Sequence, residues 1–154
     1  MGIPMTRRQE GQMPRSGDIV NVNPFELLVS EHASLRAQLR RTIEAAAMST
    51  AEARTRDAVQ ALSRAVRQHM REEEATLYPV GERLFGPHGA VIVLRNDHAA
   101  IEAKLSTPDS TASRNLASWL ESLAMHLEAH LGREERVLFP MMTALMSGKE
   151  MDRL

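Results

Sequence analysis

His69-Met70-Arg71-Glu72-Glu73-Glu74-Ala75-Thr76-Leu77-Tyr78-Pro79 and His130-Leu131-Gly132-Arg133-Glu134-Glu135-Arg136-Val137-Leu138-Phe139-Pro140 repeat one pattern, His-x-x-x-Glu followed by Leu-aromatic-Pro. Residues four apart on a helix lie on one face, one above the other, with a rise of about 6 Å. In that conformation His69 and Glu73 project to the same side, as do His130 and Glu134. Ahead of each stretch stands an acidic-His-Ala triplet, Glu31-His32-Ala33 and Asp97-His98-Ala99. The chain thus echoes itself, each half reading His, then His-x-x-x-Glu, then Leu-aromatic-Pro. Two helix pairs packed about a pseudo-twofold axis bring these elements face to face.

Outward from these stretches the apolar residues recur at three and four, the helical period. Asn23 is a good N-cap, Pro24 suits the first helical position and Glu26 stands where a capping box wants it, so a first helix starts there and carries Leu28, His32, Leu35 and Leu39 on one face. Ser49-Thr50 interrupts it. A second helix is expected from about Ala51 toward Tyr78, with Leu62, Val66, His69 and Leu77 on its stripe, ended or kinked by Pro79 and Gly81. Phe85-Gly86-Pro87-His88-Gly89 reads as a loop. A third helix carries Leu94, His98, Ile101 and Leu105. Ser106 to Thr111, with Pro108 and Asp109, is a second loop. A fourth helix is expected from near Ala112 through Leu116, Leu120, Leu123, Leu127, His130 and Leu138 to near Gly148, with a kink at Pro140. No useful strand alternation occurs. The expectation is an all-α fold, an antiparallel four-helix bundle over residues 23–147, with a flexible N-terminal tail at 1–22 and a C-terminal tail at 148–154.

The composition narrows the chemistry. The chain of 154 residues is long enough for one domain with a substantial core. It has no cysteine, which excludes disulfides, thiolate metal sites, iron–sulfur clusters and cysteine nucleophiles. A formal net charge of −1 provides no global field toward nucleic acid or an anionic membrane, so neither is an expected partner. The longest apolar run, Ala90 to Leu94, is far too short to span a bilayer, and no apolar segment follows Arg7 and Arg8. A cytoplasmic location is the default.

Any metal must therefore be held by nitrogen and oxygen. His32, His69, His98 and His130 fall on different helices, and two of them carry a Glu one turn later. Burying that many ionisable groups without a metal is very costly. Imidazole with carboxylate suits iron, manganese or zinc. Two metals sharing bridging carboxylates from Glu73 and Glu134 make economical use of one Glu per half, and this donor set leaves coordination room for a small exogenous ligand such as dioxygen. Glu102 follows His98 at the same spacing and is a further candidate ligand, whereas Arg36, in the equivalent place after His32, cannot ligate. The two metal positions are then inequivalent. His126 reads as a helix-interior or surface residue, a proton relay or a ligand. His88 is expected in solvent, Glu72 and Glu135 off the stripe in solvated ion pairs, Tyr78 as packing near the site, and Met141, Met142 and Met146 as adaptable core filler.

At these residues, from about Phe25 to Met146, the sequence resembles the hemerythrin-like, or HHE cation-binding, family. The resemblance implies a four-helix bundle around a bridged non-haem diiron centre, with His32, His69, Glu73, His98, His130 and Glu134 as ligands. It also implies a function in binding or sensing iron, dioxygen or nitric oxide in stress response; the alternative is a diiron enzyme that turns over hydrogen peroxide or nitric oxide. The expected partner is a small diatomic or peroxide ligand at the metals. Oxygen carriers of the family place a second histidine where this chain has Glu102, so the resemblance, with Glu102 as ligand, implies that reversible oxygen carriage is disfavoured. The Glu-x-x-His of ferritin-like proteins and the His-Glu-x-x-His of zinc proteases are both absent.

Overall fold

The computed structural model describes residues 23–48, 52–106 and 116–154. The expected N-terminal tail, the Ser49-Thr50 break, the loop beyond Ser106 and the fourth helix's start near Ala112 lie outside the described residues. Among the described residues the secondary structure is wholly helical. The elements are α1 (Pro24–Met48), α2 (Glu52–Ala75), α3 (Leu77–Phe85), α4 (Ala90–Leu105), α5 (Leu116–Arg133), a π-helical turn (Glu134–Leu138), α6 (Phe139–Leu145) and α7 (Gly148–Met151). Helix α1 opens as its sequence requires. Asn23 Oδ1 accepts the Phe25 backbone N–H at 3.0 Å, and Pro24 occupies a position where no N–H is needed.

Helix α1 packs on α2 and α5, and α4 packs on α5 and α2. Their apolar faces build two separate cores. One gathers Leu35, Leu39, Val59, Leu62, Val66, Ile101, Leu105, Leu120, Leu123 and Leu127. The other gathers Phe25, Leu77, Tyr78, Val91, Leu94, Leu138, Phe139 and Met142. The histidines and paired glutamates sit on each helix where one core gives way to the other. Going along α1, Phe25 lies in the second core, His32 between, and Leu35 and Leu39 in the first; along α2 and α3 the order reverses, Leu62 and Val66 preceding His69 and Glu73, with Leu77 beyond. A polar layer is thereby sealed at both ends by hydrocarbon.

Three expectations about the helices need correction. The second helix breaks at Thr76, one residue before Leu77, and not at Pro79. Thr76 Oγ1 donates to the Glu72 carbonyl at 2.7 Å, competing with the helical ladder, and α3 restarts so that Pro79 falls in its first turn, where a missing N–H costs nothing. At the matching point of the other half, the helix widens into the π turn before Pro140: the Phe139 N–H reaches back to the Glu134 carbonyl. Residues 148–154, expected as a tail, include α7. Its Ser147–Glu150 capping box starts a short helix, and Met151 and Leu154 pack on the second core. The expected loop runs Gly86–Gly89, Phe85 being the last residue of α3, with Gly86 at φ 79°, a left-handed value that glycine adopts without strain.

Gly81 lets α3 lie against α4. A Cβ there would stand 2.7 Å from Cγ2 of Val91, a methyl on a buried, β-branched side chain that is stiff at χ1. Gly81→Ala should therefore destabilise the protein by about 1–3 kcal/mol, read as a lower denaturant midpoint. An unchanged midpoint would show that α3 yields freely.

Candidate metal centre

The six residues of the repeated pattern converge in the polar layer. His32, His130 and Glu134 are 0 % exposed, Glu73 1 %, His98 3 % and His69 5 %. Glu73 stands at the middle. Its Oε1 is 3.1 Å from His69 Nε2 and 3.6 Å from His32 Nε2, while its Oε2 is 3.4 Å from His98 Nε2 and 3.7 Å from His130 Nε2. Glu134 Oε2 lies 3.4 Å from His32 Nε2 and 3.5 Å from His130 Nε2. Two groups of ligand atoms result, His32-His69-Glu73-Glu134 and Glu73-His98-His130-Glu134, each with its atoms within 4.8 Å of one another. The same two carboxylates belong to both.

The outer nitrogens of the imidazoles face a second set of carboxylates. His32 Nδ1 donates to Glu135 Oε1 at 2.9 Å, and His98 Nδ1 donates to Glu74 Oε1 at 2.8 Å. A carboxylate that accepts from Nδ1–H leaves the lone pair on Nε2, aimed at the cluster. His69 Nδ1 has Glu31 at 3.6 Å and His130 Nδ1 has Asp97 at 3.8 Å, both beyond hydrogen-bonding reach. Asp97 is instead held by Arg133 at 2.5 Å, and Glu135 is gripped by Arg36, which also reaches Glu128 at 2.9 Å. Glu135, expected in a solvated ion pair, does pair with Arg36 but also orients His32, and Glu74, which sequence reading missed, orients His98. The available signal was their place: each directly follows a paired glutamate, and on a helix the next residue turns toward the neighbouring helix's histidine.

Tyr78 and Phe139 occupy matching places in the two stretches and stack on His98 and His32, with ring centroids 5.0 Å and 5.7 Å apart. Only Tyr78 carries a hydroxyl. It donates to Glu134 Oε1 at 3.0 Å and lies 2.8 Å from His98 Nε2. The halves are therefore chemically unequal, for a reason the sequence reading did not weigh.

Glu102 is not brought into the cluster. Its carboxylate is forked by Arg67 at 2.9 Å, accepts from Ser106 at 2.7 Å and is half-exposed. Four residues along α4 move it one turn toward the first core, where the α2 guanidinium offers a stronger partner than the distant polar layer. The Arg67 hydrogen bond holds its carboxyl below the ordinary range. His126 also stands apart, its Nδ1 donating to the Ser122 carbonyl at 2.8 Å. His88 is exposed. Glu72 accepts from Gln68 in an exposed pair, Met142 is core and Met141 is exposed.

Burial dominates the electrostatics. It pushes His69 down to about 3 and His130 down to about 2, with the neighbouring imidazoles adding to the effect, and it lowers His32 and His98 as well. Burial raises Glu134 to about 7 and Glu73 well above the carboxylate range, the latter aided by the Glu134 charge. Neutral imidazoles with their lone pairs inward are what a cation requires. His32 Nε2, His69 Nε2, Glu73 Oε1 and Oε2 and Glu134 Oε2 have no hydrogen-bond partner among the described residues. Orphaned buried polar atoms are rare and costly, and here they share one centre, so the residues fit a metal in number, type and direction.

Such a cluster on packed helices defines a helical metal-binding protein. The Hemerythrin HHE cation binding domain model matches residues 23–141, and the chain belongs to that family. Cation binding comes with that membership, and the two His/Glu groups of the cluster could hold a metal ion. No curated protein and no solved structure matches the chain. Among the described residues, no helix is long and apolar enough to cross a membrane.

Two outcomes follow from this geometry. Glu102→Ala should leave the metal content at the wild-type value, measured by elemental analysis; a loss of metal would return Glu102 to the ligand set. The metal-free protein should lose stability as pH falls below 6.5. Below that value unfolded imidazoles take up protons that the folded ones, at about 3 and about 2 for His69 and His130, refuse, so the unfolded state gains. The raised carboxyls act oppositely, Glu134 from about 7 downward, but two carboxyls are outnumbered by four imidazoles. Urea midpoints measured from pH 7 to pH 5 should fall, and a rise would mean that the histidines are not buried neutral.

Proposed function

We propose that this protein is a non-haem diiron protein, an antiparallel four-helix bundle with a pseudo-twofold repeat of helix pairs, which binds or senses iron, dioxygen or nitric oxide in stress response. The observation that carries this reading is Glu73, whose two oxygens face two different pairs of histidines, 3.1 and 3.6 Å to one side and 3.4 and 3.7 Å to the other. A carboxylate so placed, with Glu134 shared as well, suits two ions better than one. The absence of thiolates and the nitrogen–oxygen donor set favour iron over softer metals.

His32, His69, Glu73, His98, His130 and Glu134 would hold the ions. Bound iron would supply one-electron redox chemistry and positions for a small diatomic or peroxide ligand. The chain does the rest. Glu135 and Glu74 lock the tautomers and ring orientations of His32 and His98. The two apolar cores exclude water from above and below. Tyr78 fixes Glu134 and keeps a proton on its hydroxyl, since burial and the nearby carboxylates raise its pKa. With Glu102 held by Arg67, the carboxylate that would have disfavoured reversible ligand binding is engaged elsewhere. That supports the binding and sensing reading. The second reading, turnover of peroxide or nitric oxide, draws its support from Tyr78, a buried hydroxyl beside His98 and Glu134.

Purified protein should contain close to two metal ions per chain, chiefly iron, and Glu73→Ala should lose most of both. One tetrahedral zinc per chain at full occupancy would defeat the diiron reading. Cycling the reduced protein between nitrogen and air should give a reversible optical change, whereas sustained gas evolution from hydrogen peroxide would favour the enzyme.

A further inference from the structure

The cluster is buried, yet a cation must reach it. His69 and His98 are its most exposed members, and each lines a surface cavity. The two cavities differ in charge. The one at His98, about 470 Å³, is lined by Arg67, Arg71 and Arg95 against Glu74 and Glu102. Both of its carboxylates are engaged, Glu74 with His98 Nδ1 at 2.8 Å and Glu102 with Arg67. The one at His69, about 320 Å³, opens between α1 and α2 and is lined by Glu31 and Glu72 with no arginine or lysine. Ser34, Gln38 and Gln68 add neutral oxygens.

The floor of the acidic cavity is His69, 5 % exposed, whose Nδ1 has no hydrogen-bond partner among the described residues. Glu31 Oε2 is 3.6 Å from that nitrogen, and the Glu31 side chain is 53 % exposed, so one carboxylate reaches from solvent to the floor. Across the ring, His69 Nε2 is 3.1 Å from Glu73 Oε1. On the rim, Gln68 donates to Glu72 Oε1 and accepts from Arg71 at 3.2 Å, and Glu72 lines the opening.

Resting on the metal-centre reading, we propose that this cavity is the entry site for a hydrated divalent cation, captured by Glu31 and Glu72 and handed through His69 Nδ1 to the cluster. Oxygen donors at the rim suit an ion that still carries water, and the imidazole at the floor takes over as water is shed. Acidic walls concentrate cations at such an opening, whereas the arginine-lined opening repels them.

The test is stopped-flow uptake of Co2+ by the metal-free full-length chain at low ionic strength. The Glu31→Gln, Glu72→Gln double variant should load about tenfold more slowly and reach the wild-type metal content. Added salt should slow the wild type and scarcely affect the variant. Arg67→Gln, at the opposite opening, should load no more slowly than wild type. Uptake by the double variant at the wild-type rate would overturn the proposal, as would an equal slowing in Arg67→Gln. A reduced final content in the double variant would also overturn it, since the carboxylates would then belong to the centre and not to its approach. Failure of the wild type to bind any Co2+ is a different result: it removes the metal centre itself, and the entry site with it.

Discussion

A carboxylate with no hydrogen-bond donor, buried among four imidazole nitrogens, is the constraint on which this structure turns. Glu73 is 1 % exposed and both of its oxygens are orphaned among the described residues. In water that carboxylate is solvated; between two hydrocarbon cores it is not, and its proton is held well above the usual range. Burial of His32, His69, His98 and His130 carries the opposite penalty, keeping them neutral. A bound cation resolves both, because it draws on neutral imidazole lone pairs and supplies the charge that an ionised carboxylate needs. Folding and metal binding are then coupled by linkage: whatever binds the folded cluster stabilises the fold that assembled it.

The apolar cores do the assembling. Leucines on α1, α2, α4 and α5 fill the first core, and the aromatic and methionine residues after the two helix breaks fill the second. One break comes three residues beyond its paired glutamate, at Thr76, and the other, the π turn Glu134–Leu138, begins at the paired glutamate itself. The altered winding lets Leu77, Tyr78, Leu138 and Phe139 close over the polar layer while the glutamates still point into it. Local departure from ideal helix is thus located at the site, where π turns often serve function.

Around the cluster, orientation is shared between helices. Glu135 follows Glu134 and fixes His32 on α1; Glu74 follows Glu73 and fixes His98 on α4. Each glutamate-bearing segment therefore brings its own side chains to the cluster and fixes a histidine of a neighbour, so displacement of one helix misaligns cluster residues on two. The hydroxyl of Tyr78, where the matching place beside His32 holds the bare ring of Phe139, makes the two sides unequal in polarity.

Periodicity and spacing alone determined much of this. His-x-x-x-Glu at helical spacing, written twice, requires each pair to share a face, and the leucines at three and four determine which face is buried; the convergence of His32, His69, Glu73, His98, His130 and Glu134 was legible from that. Glu102 was not, because spacing within one helix cannot say which neighbour lies beside the next turn, and tertiary packing set Arg67 against it. For the same reason Glu135 read only as a solvated ion-pair partner, and its bond to His32 came with the packing of α1, which also brings Arg36. The break at Thr76 and the π turn escaped because proline marks where a helix cannot continue, while the position of the actual break is chosen by the fit of both cores around the polar layer. Intrahelical geometry is local and can be counted along the chain. The partner of a charged side chain is decided by which helix packs against it, and only the folded structure supplies that.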